Sequence, residues 1–180
     1  LSQYFYDNNM KLKFYQRLSQ RYYTDREYKF SDISNEMQYN WKKWQFYNNL
    51  VYTPEFNEVH ESSSLISLRE IEYYVTLGHT FKQKLSEKSI VVTANDVNFD
   101  FGYTYNERIS INGGLTYDID DASSKQWRFG GGYAQDCWSM SASVRQDITP
   151  RPNNEFTTEN TFYVQFNFIP FGSIGTDSVK

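Results

Sequence analysis

The feature that most constrains this chain is an apolar–polar alternation of period two, repeated along most of its length. Val97, Phe99, Phe101, Tyr103 and Tyr105 alternate with Asn98, Asp100, Gly102, Thr104 and Asn106. After Glu107-Arg108 the pattern resumes. Ile109, Ile111, Leu115, Tyr117 and Ile119 alternate with Ser110, Asn112, Gly114, Thr116 and Asp118. Successive side chains of a strand point to opposite faces, so this predicts a hairpin of two long strands, each with one apolar face. The alternation recurs at 33–41, 73–82, 127–133, 138–145 and 162–168, and more weakly at 11–18, 44–53 and 64–68. The expectation is an all-β chain of about ten antiparallel strands and no helix.

Alternation alone fits a soluble sandwich and a membrane barrel equally. Composition separates them. Aromatic residues make up 19% of the chain, with 16 Tyr, 14 Phe and 4 Trp, yet the mean hydropathy is −0.73. A soluble core draws more on Leu, Val and Ile. Here the apolar face is heavily aromatic, with Tyr and Trp often near strand ends, as the interface girdles of a membrane barrel require. The other face carries mostly Ser, Thr, Asn, Gln and Gly, which suits a wet lumen. The expected strands reach ~10 residues, longer than the ~5–6 of globular sheets and matched to the ~9–11 that cross a bilayer. No run approaches the ~18 apolar residues of a membrane helix, and a spanning strand needs none.

The connections carry the same message. Lys42-Lys43, Arg69-Glu70, Glu107-Arg108 and 135–137 read as short turns. Segments 19–31, 54–63, 83–95, 120–125 and 149–159 read as longer loops between them. Bacterial barrels alternate in this way, with short periplasmic turns and long extracellular loops. On that pattern 149–159 lies outside, 5–9 is a periplasmic turn, and the strand after 159 is the last. Leu1 to Tyr4 then reads as the end of a strand that begins before the chain does. The expected fold is an antiparallel transmembrane β-barrel, incomplete in this chain. Other strands must complete it, because each unpaired backbone group in lipid costs several kcal/mol.

Other functions are poorly served. The net charge is −4 with no basic patch, which argues against nucleic acid. Gly130-Gly131-Gly132 lacks the Lys and Ser/Thr of a phosphate loop and precedes no helix pattern. Glycines inside a barrel strand mark a bend or close packing. His60 lies beside Glu61 and Ser62 to Ser64, and His79 on an apolar face. A catalytic triad needs convergence in space, which sequence neighbours do not supply. The two His and one Cys lack metal-ligand spacing, so no enzyme activity, metal or cofactor is expected. Glu36, Asp100, Arg128 and Arg145 are expected in the lumen, pairing among themselves rather than with a plug or lipid phosphates. The single cysteine, Cys137, is either an unpaired thiol or half of a bond to something outside the chain.

Several elements together resemble a known family. They are Tyr117-Asp118-Ile119, the strand Trp127-Arg128-Phe129-Gly130-Gly131-Gly132-Tyr133, then Asp136-Cys137-Trp138, then Arg145. Upstream stands Tyr52-Thr53-Pro54-Glu55. In order and spacing these are similar to the C-terminal barrel strands of the lipopolysaccharide-assembly protein LptD family, also called organic-solvent-tolerance proteins. The resemblance spans most of 44–175. It implies a very large outer-membrane barrel in a Gram-negative bacterium, plugged by an LptE-type lipoprotein. A periplasmic domain would receive lipopolysaccharide from a protein bridge, and the lipid would leave sideways between the first and last strands. The last strand, Phe162, Tyr163, Val164, Gln165, Phe166, Asn167 and Phe168 with Pro170 after it, then becomes one lip of a lateral gate. Cys137 becomes a candidate interdomain disulfide to the periplasmic domain, in a compartment that permits disulfides. Two departures stand out. Many members carry two adjacent cysteines where this chain has Cys137 followed by Trp138, and Tyr163 stands where glycine is usual.

Overall fold

A computed structural model describes residues 1–25, 27–86, 89–150, 156–168 and 172–175. They form twelve antiparallel strands and no helix. The strands are β1 (Ser2–Tyr6), β2 (Leu12–Ser19), β3 (Ile33–Trp41), β4 (Trp44–Thr53), β5 (Glu58–Arg69) and β6 (Tyr73–Ser86). After them come β7 (Ser89–Asn106), β8 (Ile109–Asp118), β9 (Ser123–Ala134), β10 (Trp138–Pro150), β11 (Phe156–Phe168) and β12 (Gly172–Gly175). They lie in one sheet in sequence order, each beside its chain neighbours. The chain divides into two compact units, Leu1–Leu68 with Leu77–Val97, and Arg69–Thr76 with Asn98–Lys180.

The strand count exceeds the ten expected from alternation, and the strands outrun their apolar stretches. The segment 83–95 is not a long loop, because β6 continues to Ser86 and β7 begins at Ser89. Likewise β5 starts at Glu58 inside the expected loop 54–63, and β9 at Ser123 inside 120–125. The physical reason is that backbone pairing needs no apolar face. Past the apolar stretch polar residues stand on both faces, so stretches such as Lys82-Gln83-Lys84 lie in a strand without an apolar alternation, and the buried Gln83 donates to Val59 O at 2.6 Å. The loop 20–32 is partly a hairpin extension too, with Tyr22 and Phe30 bridged. Of the expected loop 149–159, residues 151–155 lie outside the described residues, while Pro150 and Phe156 are already paired.

A further correction concerns the C-terminal end. The strand bearing Phe162–Phe168 is not the last in the order. β12 pairs beyond it, from Gln165↔Gly175 to Phe168↔Gly172. Gly172 to Gly175 hold only one large apolar residue, Ile174, so no alternation marks them. Pro170 lies outside the described residues.

Acid and amide side chains build the tight connections. In the β1–β2 turn, Asp7 Oδ1 accepts backbone N–H bonds from Lys11 and Asn9, each 2.9 Å. Those bonds, Lys11's foremost, hold the Asp7 carboxyl below its ordinary range. Asn106 Oδ1 accepts from Arg108 N and Ile109 N at 2.9 and 2.8 Å, closing β7 onto β8. At the far end of β8, Asp118 Oδ1 accepts from Asp120 N and Asp121 N, and its Oδ2 pairs with Lys125 Nζ at 2.7 Å. Short polar side chains that bond their own backbone two or three residues on are the usual turn makers.

No apolar side chain is buried among the described residues. Apart from glycines, the buried residues are polar: Thr53, Ser67, Gln83 and Asp118. Apolar contact is instead local and between strands. Tyr74 lies over Gly102, where an added Cβ would come within 2.3 Å of the ring. Phe101 lies over Gly113 in the same way, at 2.6 Å. Each glycine leaves a hollow that an aromatic ring fills, which pins register between strands. We expect Gly102→Val to destabilise the folded protein by about 1–3 kcal/mol, the range for overpacking. In a Tyr74→Ala background the same substitution should cost much less. Urea unfolding of the four proteins in detergent measures the coupling, and additive costs would show that ring and hollow are independent.

Candidate functional site

In the second unit the register sorts side chains into two unlike faces. Met140 faces Tyr133 and Phe166, Ala142 faces Gly131 and Val164, and Val144 faces Phe129 and Phe162. Ile109, Ile111 and Leu115 of β8 continue these rows opposite Tyr133, Gly131 and Trp127. This face is apolar and solvent-accessible: Phe129 is 50% exposed and Phe162 51%. Trp138 opposite Phe168 closes it at one end. At the other end Trp127 stands opposite Gln146 and donates its indole N–H to Gln146 Oε1 at 2.8 Å. From Trp138 to Gln146 the strand rises about 26 Å, at ~3.3 Å per residue.

The opposite face is polar throughout. Ser141 faces Gly132 and Gln165, and Ser143 faces Gly130 and Tyr163. Arg128 stands opposite Arg145, a repulsive arrangement taken alone. Each has its own carboxylate. Arg128 pairs with Asp100 at 2.5 Å, and Arg145 with Asp147 at 2.7 Å. Gln126 Nε2 also donates to Asp147 Oδ1 at 2.6 Å. Gly114 makes room for the first pair, since a Cβ there would meet Asp100 Oδ1 at 2.3 Å. Along β11, Tyr163 Oη donates to Gln165, Gln165 to Asn167, and Asn167 to Ser139 Oγ on β10, at 3.2, 2.8 and 3.0 Å. So the strand singled out by sequence has its apolar residues on one face. Its amide and phenol groups form a hydrogen-bonded line on the other.

The first unit repeats the division less cleanly. On one face Phe5, Phe14, Tyr39, Phe46 and Ile66 form a row. The next row is Gln16, Met37, Asn48 and Ser64. Its polar groups satisfy one another or a neighbour. Gln16 donates to Asn35 at 2.9 Å and Asn48 to Ser64 at 2.8 Å. On the other face Glu36 accepts from the Tyr15 hydroxyl at 2.6 Å and pairs with Arg17. Of the four charges expected to pair among themselves, Asp100 and Arg128 do, while Glu36 pairs with Arg17 and Arg145 with Asp147.

Cys137 is exposed and not disulfide-bonded. It sits in the three-residue connection between β9 and β10, held by Gln135 N to Trp138 O at 2.7 Å. Gln135 also bonds Tyr133 Oη through its side chain, and the Tyr133 ring packs 5.6 Å from Trp138. Ala134 N reaches Arg108 O at 2.7 Å, so this connection and the Glu107-Arg108 turn share one end of the sheet. The two histidines have different partners. His79 Nε2 contacts Asn95 Oδ1 at 3.1 Å, and His60 Nδ1 lies 3.7 Å from Asp32 Oδ2. Among the described residues no three His, Cys, Asp or Glu gather as a metal set.

Sequence reasoning passed over Asp118 as a turn organiser, although an acid at a strand end before Asp120-Asp121 was a usable turn signal. Asp32 lies beside Thr53 at the end of the β3–β4 pair, a proximity no local pattern announces. No protein-family model matches the chain, and no curated protein matches it.

Proposed function

We propose that this chain forms part of an antiparallel transmembrane β-barrel in the outer membrane of a Gram-negative bacterium. We further propose that the barrel carries lipopolysaccharide into the outer leaflet without covalent chemistry. The observation that carries the first half is the bare apolar face of β8 to β11. Those side chains are exposed or half-buried, and no apolar side chain is buried among the described residues. In water so large an apolar patch is a liability; in lipid it is the solvated surface. Its height of about 26 Å, closed by Trp138 and Trp127, matches the ~25 Å apolar band of outer-membrane barrels. The paired amides of the Gln16–Ser64 row reduce the cost of placing polar groups on such a surface.

The transport half is supported by residue pattern. The elements Tyr117-Asp118, Trp127–Tyr133, Asp136-Cys137-Trp138 and Arg145 that resemble the LptD family lie on consecutive strands and their connections, β8 to β10. On this reading the polar face lines a lumen occupied by an LptE-type lipoprotein. The β11–β12 side forms one lip of the exit seam. Cys137, exposed on a short turn, is reachable from a periplasmic domain that receives lipopolysaccharide from its bridge protein.

Three measurements check the proposal. Ala142→Arg sits midway between Trp138 and Gln146 on the apolar face and should cost about 2–4 kcal/mol in lipid. Ser141→Arg, on the opposite face, should be nearly neutral; equal costs would exclude a lipid-facing band. Non-reducing electrophoresis of the full-length protein should show a mobility shift that Cys137→Ser removes, and no shift would end the disulfide assignment. Depletion of the full-length protein in its native cell should lower surface lipopolysaccharide and leave the lipid accumulating inside. Unchanged surface lipopolysaccharide would discard the transport half and favour a stand-alone barrel such as a porin, adhesin or barrel enzyme.

A further inference from the structure

The aromatic face of β2 to β5 is interrupted at half its length. Along β4 it runs from Trp44 through Phe46, Asn48 and Leu50 to Tyr52. That is a rise of about 26 Å at ~3.3 Å per residue. Trp41 stands opposite Trp44 at one end, and Ile33 opposite Tyr52 at the other. Asn48 is the midpoint. Its row holds Met37, Ser64 and, one strand further, Gln16. The next row toward Tyr52 is Leu18, Asn35, Leu50 and Ser62. The second unit offers the contrast: the midpoint of its band is Ala142, between Gly131 and Val164.

The amides of these rows are only partly satisfied. Asn48 Nδ2 donates to Ser64 Oγ at 2.8 Å, and Gln16 Nε2 to Asn35 Oδ1 at 2.9 Å. A side-chain amide has two N–H donors and a carbonyl with two lone pairs. Among the described residues Asn48 Oδ1, Gln16 Oε1 and Asn35 Nδ2 hold no hydrogen bond. None of the three is sealed from the surface, unlike the Thr53 hydroxyl. Asn48 and Ser64 also share a hollow of about 300 Å³ with Phe14, Met37, Tyr39, Phe46 and Ile66.

In the barrel proposed above, on which this inference rests, the face meets the bilayer and Asn48 lies near its middle. Hydrocarbon neither donates nor accepts hydrogen bonds, and the headgroups lie ~15 Å away. Whatever satisfies the open amide positions must bring hydrogen-bonding groups to that depth on an otherwise apolar surface. A membrane-embedded protein does so, and a lipid does not.

We propose that the occupant is a second copy of this chain, seated face to face about a two-fold axis along the membrane normal. Both copies insert in one direction, so that axis brings each row to the depth of its own counterpart. The Asn48 row meets the Asn48 row. Amides both donate and accept, so the row is complementary to itself. The apolar rows on either side meet apolar rows. No Asp, Glu, Lys or Arg of β2 to β5 shares this face, so no charge repels the copy. Four strands at ~4.8 Å spacing and about 26 Å of length give a face of about 500 Å². Two such faces bury about 1,000 Å², where specific interfaces begin.

The test is sedimentation equilibrium of the intact full-length protein in density-matched detergent. The parent should sediment with the mass of two copies. Asn48→Leu should raise the dimer dissociation constant about tenfold, for a hydrogen bond in the membrane lost twice by symmetry. Leu is an ordinary lipid-facing residue, so this variant should reach the membrane at the parent's level. Ala142→Leu, on the other apolar face, should leave the constant unchanged. Two differently tagged copies expressed together should co-purify from native membranes, and less so when both carry Asn48→Leu. A parent that stays monomeric while Ala142→Arg is costly overturns the dimer and leaves the membrane reading standing. Ala142→Arg without cost removes the lipid-facing premise and the dimer with it. A dimer indifferent to Asn48→Leu, or a different protein recovered in place of the second copy, also overturns the proposal.

Discussion

Everything in this structure depends on the antiparallel backbone ladder. With no apolar side chain buried among the described residues, no hydrophobic core organises the strands from within. The N–H and C=O groups therefore find their partners in the next strand, and the next strand is always the next in sequence. Such a meander keeps contacts local and turns short. It also leaves two faces whose fates are set by solvent rather than by packing against a second layer.

The side chains then refine what the ladder permits. Glycines at 102, 113 and 114 open hollows that Tyr74, Phe101 and the Asp100–Arg128 pair occupy. These fillings tie neighbouring strands at particular offsets, which a featureless ladder would not do, since a one-residue slip exchanges the two faces. On the polar face, charges that oppose a like charge are each given a carboxylate. The Tyr163–Gln165–Asn167 line satisfies its groups along one strand and onto the next. The polar face thus satisfies its own groups while remaining compatible with water.

The two units differ in a way that bears on their environment. The face of β8 to β11 is unbroken from Trp138 to Trp127, whereas the first unit carries Gln16, Asn48 and Ser64 within its aromatic face. A bilayer tolerates the former without penalty and the latter only because the amides and hydroxyls bond one another. The same economy of partners makes the isolated Thr53 hydroxyl stand out.

The sequence by itself determined the strand type, the face of residues within the alternating stretches and, to within a residue or so, the sites of the short turns. Val144, Ala142 and Met140 share a face because period two leaves no alternative, and Glu107-Arg108 interrupts the pattern where the hairpin turns. Sequence also settled which charges lie on the polar face. What it could not reveal depends on cross-strand geometry. The extensions of β6 and β7 beyond the apolar band show no apolar alternation, because the backbone ladder there does not need an apolar face. β12 is too short and too rich in small residues to show a period. Asp32 and Thr53 are 21 positions apart in sequence and meet only because β3 and β4 pair. Local pattern reports the environment of one strand; only the register between strands decides which side chains meet, and hence where a site forms.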